Sequence, residues 1–124
     1  MDRDELLKKA QEAKAGAYAP YSCFRVGAAL LAKNGRVYTG ANVENASYSV
    51  TCCAERVALF KAVTEGEREF EAVAVTSDSE DITWPCGVCR QALAEFGLNM
   101  DVIGSNNTLQ NKTVKLKALL PEAF

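Results

Sequence analysis

The chain has 124 residues, 48 % of them hydrophobic, which is enough to build one core, so we expect a single domain over residues 1–124. Its 14 Lys and Arg residues and 16 Asp and Glu residues give a net charge of −2, which leaves no basic excess for binding nucleic acid or an acidic membrane. Its apolar runs are far shorter than the roughly 18 residues that span a bilayer. Residues 2–5 are all charged, unlike the apolar core of a signal peptide, so we expect a cytoplasmic protein.

The first part of the sequence predicts a helix followed by a β-hairpin. Apolar residues recur at helical spacing over residues 6–17. Two further apolar runs, over residues 25–32 and 36–43, flank Asn34-Gly35, a pair typical of a two-residue β-turn. We therefore expect two antiparallel strands joined by a tight turn.

The second part alternates helices with strands. Thr51 is the predicted N-cap of one helix, and Pro85 opens another. The predicted bounds are residues 52–64 and 86–96 for these helices and residues 70–76, 101–103 and 113–119 for the strands. Such alternation favours an α/β layered sheet with an antiparallel hairpin at one edge and parallel pairing beyond it.

The sequence contains no histidine. This excludes Ser-His-Asp and Cys-His catalysis and every histidine-based zinc site. Any proton transfer must use a carboxylate, Lys, Tyr, a thiol or water. The five cysteines are an odd number in an expected reducing compartment, which argues against a disulfide framework and favours metal binding or redox chemistry.

Two motifs, Cys53-Ala54-Glu55 and Pro85-Cys86-Gly87-Val88-Cys89, fall at the starts of predicted helices. A helix N-terminus favours a thiolate over a thiol because its free N–H groups and dipole are positive. Cys86 and Cys89 are three residues apart, so one helical turn brings both sulfurs to one metal ion. Three thiolates suit zinc and leave the fourth tetrahedral position for water, as in a catalytic zinc site.

Glu55 and Arg56 supply the groups that such a site needs beside its ligands. On a regular helix, residues 53 and 55 point roughly 200° apart, so they share a site only if it lies beyond the helix end. There, a carboxylate can take a proton from a metal-activated water and pass it to a substrate nitrogen. We expect the guanidinium of Arg56 to donate to the sulfurs and offset their negative charge.

Other interpretations of the same residues stay open at this point. Cys86 and Cys89 also fit a thioredoxin-type dithiol. A zinc-stabilised binding module without activity would need a fourth ligand, for which Cys23 or Cys52 is available, although we interpret both as ordinary small residues.

Six sequence blocks, spread in order over nearly the whole chain, resemble one known family. They are Tyr18-Ala19-Pro20-Tyr21-Ser22, Val26-Gly27-Ala28-Ala29-Leu30, Asn42-Val43-Glu44-Asn45-Ala46, Cys53-Ala54-Glu55-Arg56, Pro85-Cys86-Gly87-Val88-Cys89-Arg90-Gln91 and Leu119-Leu120-Pro121-Glu122-Ala123-Phe124. Together they resemble the small homotetrameric zinc-dependent cytidine deaminases, which belong to the zinc deaminases with three cysteine ligands and a non-ligand glutamate. The sequence departs from that family at Glu122, where glycine is usual.

The resemblance implies a three-layer α/β/α sandwich around a five-stranded mixed sheet. It implies one zinc ion per subunit on Cys53, Cys86 and Cys89, with hydroxide attack on C4 of cytidine or deoxycytidine and Glu55 as proton shuttle. The products are ammonia and uridine or deoxyuridine, in a reaction of pyrimidine salvage. A blasticidin-type aminohydrolase is the alternative within the same fold, although the stretch over residues 42–45 suits a ribose better.

The resemblance also implies the contacts with a free nucleoside. The implied residues are Phe24, Asn42, Glu44, Tyr48, Ala54 and Phe124. Asn42 and Glu44 would hold the ribose, Phe24 would stack near the pyrimidine, and the backbone of Ala54 would contact the base. Tyr48 and Phe124 would come from neighbouring subunits, so the sites of a homotetramer would lie at subunit interfaces.

Overall fold

The computed structural model describes residues 1–124, and its centre is one mixed sheet of five strands in the order β2-β1-β3-β4-β5. The strands are β1 (Val26–Ala32), β2 (Val37–Ala41), β3 (Phe70–Ser77), β4 (Asp101–Ser105) and β5 (Asn111–Lys115). The helices are α1 (Arg3–Lys14), α2 (Ala54–Thr64), α3 (Gly87–Ala94) and α4 (Leu116–Leu119), with one 3-10 turn over Tyr48–Val50. β3 and β4 run parallel, and the other neighbouring pairs are antiparallel.

Helices cover both faces of the sheet, which confirms the expected α/β/α layers. On one face, Leu6, Leu7 and Ala10 of α1 pack with Ala29 and Leu31 of β1. The opposite face holds the larger core, which includes Ala58, Leu59 and Ala62 of α2 and Leu93 of α3. Because successive strand residues point to opposite faces, the fully apolar β1 serves both cores. No helix of the chain combines the length and the apolar character that a membrane crossing requires.

The hairpin has a longer turn than its sequence predicts. The Ala32 amide donates to the Arg36 carbonyl at 2.9 Å, so residues 33–35 form a three-residue loop and the two-residue prediction is wrong. Such a loop ends on a residue in the left-handed region, where Gly35 has φ 93°. The Asn34 side chain accepts a hydrogen bond from the Arg36 amide at 2.9 Å and closes the loop.

The predicted final strand over residues 113–119 is also wrong in its bounds. β5 ends at Lys115, and the following residues form the single turn of α4. Leu116 explains the change, because a helical turn directs its side chain fully into the core. The predicted strand at residues 101–103 extends to Ser105, which is buried as well.

The first turn of α2 approaches β2 very closely at Gly40. A Cβ atom at this position would lie 2.5 Å from the Ala54 carbonyl oxygen and 2.6 Å from the Ala58 amide nitrogen. Real Cβ atoms do not come this near to backbone, so any side chain would push the helix away from the sheet. Gly40 therefore sets how deeply the start of α2 is seated.

We expect Gly40→Ala to lower the free energy of unfolding by about 1–3 kcal/mol, because the methyl group meets backbone that cannot yield without moving α2. Urea unfolding followed by circular dichroism measures this change. Gly16→Ala is the matched control, since the nearest atom to its Cβ would be at an ordinary 3.4 Å, and its effect should stay within about 1 kcal/mol. Equal losses in the two variants would contradict the seating argument.

Candidate metal centre and substrate cavity

Two helix N-termini meet at the site, and each has a cysteine as its N-cap. Cys53 caps α2 and Cys86 caps α3, both in extended backbone conformation and neither with a side-chain capping bond. The prediction of Thr51 as the N-cap is wrong, because α2 begins at Ala54. The sulfur of Cys53 thus lies outside the helix, as the angular argument from residues 53 and 55 requires.

Three sulfur atoms are grouped at this point. The Sγ atoms of Cys53, Cys86 and Cys89 all lie within 4.8 Å of one another, and those of Cys53 and Cys86 are 3.6 Å apart. Tetrahedral zinc with bonds of about 2.3 Å would hold its sulfur ligands about 3.8 Å apart, so the donor set and its spacing fit zinc. Cys23 and Cys52 lie outside the group, which leaves three protein ligands and an open fourth position.

The electrostatics of the group favour ionised sulfur. The neighbouring Cys89 thiol, together with the guanidinium of Arg56, lowers the pKa of Cys53 to about 5. The neighbouring Cys53 sulfur and burial raise the pKa of Cys89, and a divalent cation bound at the group would displace its proton, because it binds the thiolate form. Arg56 donates to the Cys53 sulfur at 3.5 Å, as the sequence predicts.

Glu55 is buried beside the sulfurs. The residue is only 3 % exposed, and burial raises the pKa of its carboxyl group to about 7. A carboxyl group of this kind can both accept and donate a proton near neutral pH. Glu55 and Cys53 line the same cavity, so the position at the helix end lets residues two apart share one site.

A cavity of about 580 Å³ opens beside the sulfur group, within the size range of small-molecule sites. Of the six predicted substrate contacts, five line it, and they are Phe24, Asn42, Glu44, Tyr48 and Ala54. Phe124 does not line it and is fully exposed at the chain end. None of the 16 lining residues is Lys or Arg, so the cavity has no cation for a phosphate.

Several lining residues have no place in the sequence prediction. Trp84 and Thr83 approach the sheet over Gly104, where a Cβ atom would lie 2.8 Å from both of them. The position of Trp84 directly before Pro85 and Cys86 is the only sequence signal that could have found it. Ser22 lines the cavity too, and the only signal for it in the sequence is the family resemblance of the block over residues 18–22.

Asn42 is 8 % exposed, and its side-chain amide forms hydrogen bonds with the backbone of the neighbouring chain segment. Its Oδ1 accepts from the Val26 amide at 2.9 Å, and its Nδ2 donates to the Phe24 carbonyl at 2.9 Å. Each amide atom keeps one further hydrogen-bonding position, since an amide oxygen has two lone pairs and the nitrogen two protons. The side chain therefore holds the Phe24 segment and is still able to meet a hydroxyl.

Comparisons with known proteins agree on one family. The family model described as the cytidine and deoxycytidylate deaminase zinc-binding region matches residues 1–105. The cytidine deaminase of Halalkalibacterium halodurans is 50 % identical over 125 residues, which cover 100 % of this chain and 95 % of that one. A probable cytidine deaminase of Dictyostelium discoideum is 46 % identical over 100 % of this chain and 86 % of its own. The crystal structure of the cytidine deaminase from Burkholderia pseudomallei matches with a TM-score of 0.97 at 44 % identity and full coverage of both chains.

We expect Cys86→Ala to abolish stoichiometric zinc binding, because two sulfurs cannot replace the three that the group supplies. Cys86 is exposed, so its loss should leave the core intact. Metal analysis of the purified protein and the thiolate absorption of a cobalt-substituted sample measure the change. Cys23→Ser is the control, since Cys23 is exposed and outside the group. A full zinc complement in Cys86→Ala would refute the assignment.

Proposed function

Because the chain belongs to the cytidine deaminase family, we propose that the groups around its cavity divide the hydrolytic deamination of cytidine among themselves. The reaction is cytidine plus water to uridine plus ammonia, and the cofactor is zinc. In this proposal, residues 1–124 act as one catalytic domain, and deoxycytidine is a second substrate. The observation that carries the assignment of roles is the buried Glu55 in the same cavity as the three-sulfur group.

Cys53, Cys86 and Cys89 are the proposed ligands of zinc. When bound there, zinc supplies a Lewis acid that makes water acidic enough to act as a nucleophile near neutral pH. Arg56 donates to the Cys53 sulfur and offsets part of the negative charge of three thiolates.

Glu55 is the proposed proton carrier. It accepts a proton from the water that adds to C4 of the pyrimidine and donates that proton to N3. It next takes the proton of the new C4 hydroxyl and gives it to the departing amino group, so that C4 becomes a carbonyl and ammonia leaves. Its burial keeps solvent from competing for these protons.

The remaining cavity residues bind and orient the nucleoside. Asn42 and Glu44 take the sugar hydroxyls, Phe24 packs near the pyrimidine, and the Ala54 backbone contacts the base. A cavity without Lys or Arg suits an uncharged nucleoside, whereas a nucleotide would bring a phosphate that no lining cation could meet.

We further propose a homotetramer in which neighbouring subunits complete each site. Large apolar side chains face solvent, among them Tyr48, which lines the cavity and is 90 % exposed, and Phe124 at the chain end, which is fully exposed. Exposed apolar surface of this kind is typical of a protein interface. The cytoplasm is the proposed compartment, because free thiols that serve as metal ligands persist in a reducing environment.

We expect Glu55→Gln to keep its zinc and fold but to lower kcat for cytidine by about 10²–10⁴-fold, since an amide cannot carry the proton. The loss of ultraviolet absorbance as uridine forms, with and without a chelator, measures turnover. Glu80→Gln is the matched control, because Glu80 is exposed and outside the cavity. An unchanged rate in Glu55→Gln would refute the proton-carrier role.

We expect light scattering to give the mass of four chains, and Phe124→Ala to raise the KM for cytidine about tenfold without loss of zinc. The reason is that stacking of an aromatic side chain on a base contributes this much to binding. A monomer with full activity, or an unaltered KM in Phe124→Ala, would contradict the shared site.

A further inference from the structure

The hydroxyl group of Ser22 links the proposed sugar-binding residue to the proposed base-binding residue. It donates to Oε2 of Glu44 and accepts a hydrogen bond from the Phe24 amide at 3.0 Å. No other side-chain group of the chain bonds to both residues. The serine thus occupies the junction between the two halves of the nucleoside site.

Three donors from this short segment fix the Glu44 carboxylate. Oε1 accepts from the backbone amides of Tyr21 and Ser22 at 3.0 and 3.1 Å, and Oε2 accepts from the Ser22 hydroxyl. Glutamate has several rotatable bonds, and a carboxylate held at both oxygens loses most of that freedom before a ligand arrives. The Ser22 hydroxyl also lowers the pKa of Glu44, which keeps the group ionised and able only to accept hydrogen bonds.

Two side chains form hydrogen bonds with the backbone of Phe24. Its amide donates to Ser22, and its carbonyl accepts from Asn42 Nδ2. Between Ser22 and Phe24 the chain turns through Cys23, whose φ of 58° lies in the left-handed region that only a few residue types favour. Side-chain hydrogen bonds therefore maintain a turn that the local sequence does not favour by itself.

We propose that Ser22 is a positioning residue whose hydroxyl orients the Glu44 carboxylate toward the sugar and holds Phe24 in register with it. The inference rests on the proposed function, in which Glu44 accepts a sugar hydroxyl. Loss of the Ser22 hydroxyl leaves Glu44 free to rotate, so the site loses its discrimination for that sugar hydroxyl while the metal and Glu55 are untouched.

The test compares kcat/KM for cytidine, 2′-deoxycytidine and 3′-deoxycytidine in the zinc-loaded protein. A hydroxyl bonded to a carboxylate contributes about tenfold or more, so the wild type should discriminate by that factor against the analogue that lacks it. In Ser22→Ala we expect this ratio to fall at least threefold. Ser22→Thr should restore the ratio and Ser22→Val should not, since these two side chains share a shape and differ in the hydroxyl.

Ser79→Ala is the matched control, because the Ser79 hydroxyl also accepts from an amide two residues later, that of Asp81 at 3.0 Å, but has no carboxylate partner. It should keep the wild-type ratio. If Ser22→Ala reduces kcat/KM equally for all three nucleosides, or if Ser22→Val matches Ser22→Thr, the role is merely structural and the inference is overturned.

Glu44→Gln separates this inference from the proposed function. If Glu44→Gln removes the discrimination but Ser22→Ala keeps it, the sugar contact of Glu44 stands and the role of Ser22 fails. If Glu44→Gln retains the wild-type ratio, the sugar contact itself is wrong, and the inference falls with it.

Discussion

The site depends on two helix N-termini that meet at one point. The N-cap residue of each helix is a cysteine whose sulfur makes no capping hydrogen bond. Three ionised sulfurs this close would repel one another strongly without compensation. Two positive helix ends, the Arg56 guanidinium and a divalent cation together supply it. The protein thus builds its metal centre from backbone dipoles and thiolates, and needs none of the histidines that its sequence lacks. The packing of the helices and loops against the sheet keeps these two helix ends in place.

Glycines and one tryptophan fix the depth at which the helix ends sit. Gly40 lets α2 approach β2, and Gly104 lets Trp84 lie against β4 directly before the α3 cap. Arg90 adds a link from within α3, since it donates to the Pro85 carbonyl at 2.7 Å and to the Leu119 carbonyl at 3.0 Å. These two hydrogen bonds join the segment directly before Cys86 to the C-terminal segment that ends at Phe124. The packing of α2 and Trp84 against the sheet and the hydrogen bonds of Arg90 position the same cysteines. A small shift in this packing would therefore move the metal ligands.

The sequence places Cys86 beside Cys89, and Cys53 beside Glu55, because each of these spacings is local. Cys86 and Cys89 lie on one helical turn, and Cys53 and Glu55 flank one helix start, so each pair could be placed without tertiary information. The prediction of Thr51 as N-cap is wrong because Cys53 takes that position, although threonine is the better capping residue. The sulfur of Cys53 lies with the metal ligands and does not cap the helix.

Contacts between distant segments could not be predicted in that way. Trp84 over Gly104 and Ser22 on Glu44 join residues about 20 positions apart, and no periodicity records such pairs. Glu122 has φ 57°, so the chain keeps there a conformation that suits the glycine usual in the family. The roles of Tyr48 and Phe124 stay predictions, since they concern other subunits. Finally, the cavity lining carries the carboxylate of Glu44 and no Lys or Arg. A phosphate group on the sugar would therefore meet like charge and no cation there, so phosphorylation of a nucleoside would weaken its binding in this cavity.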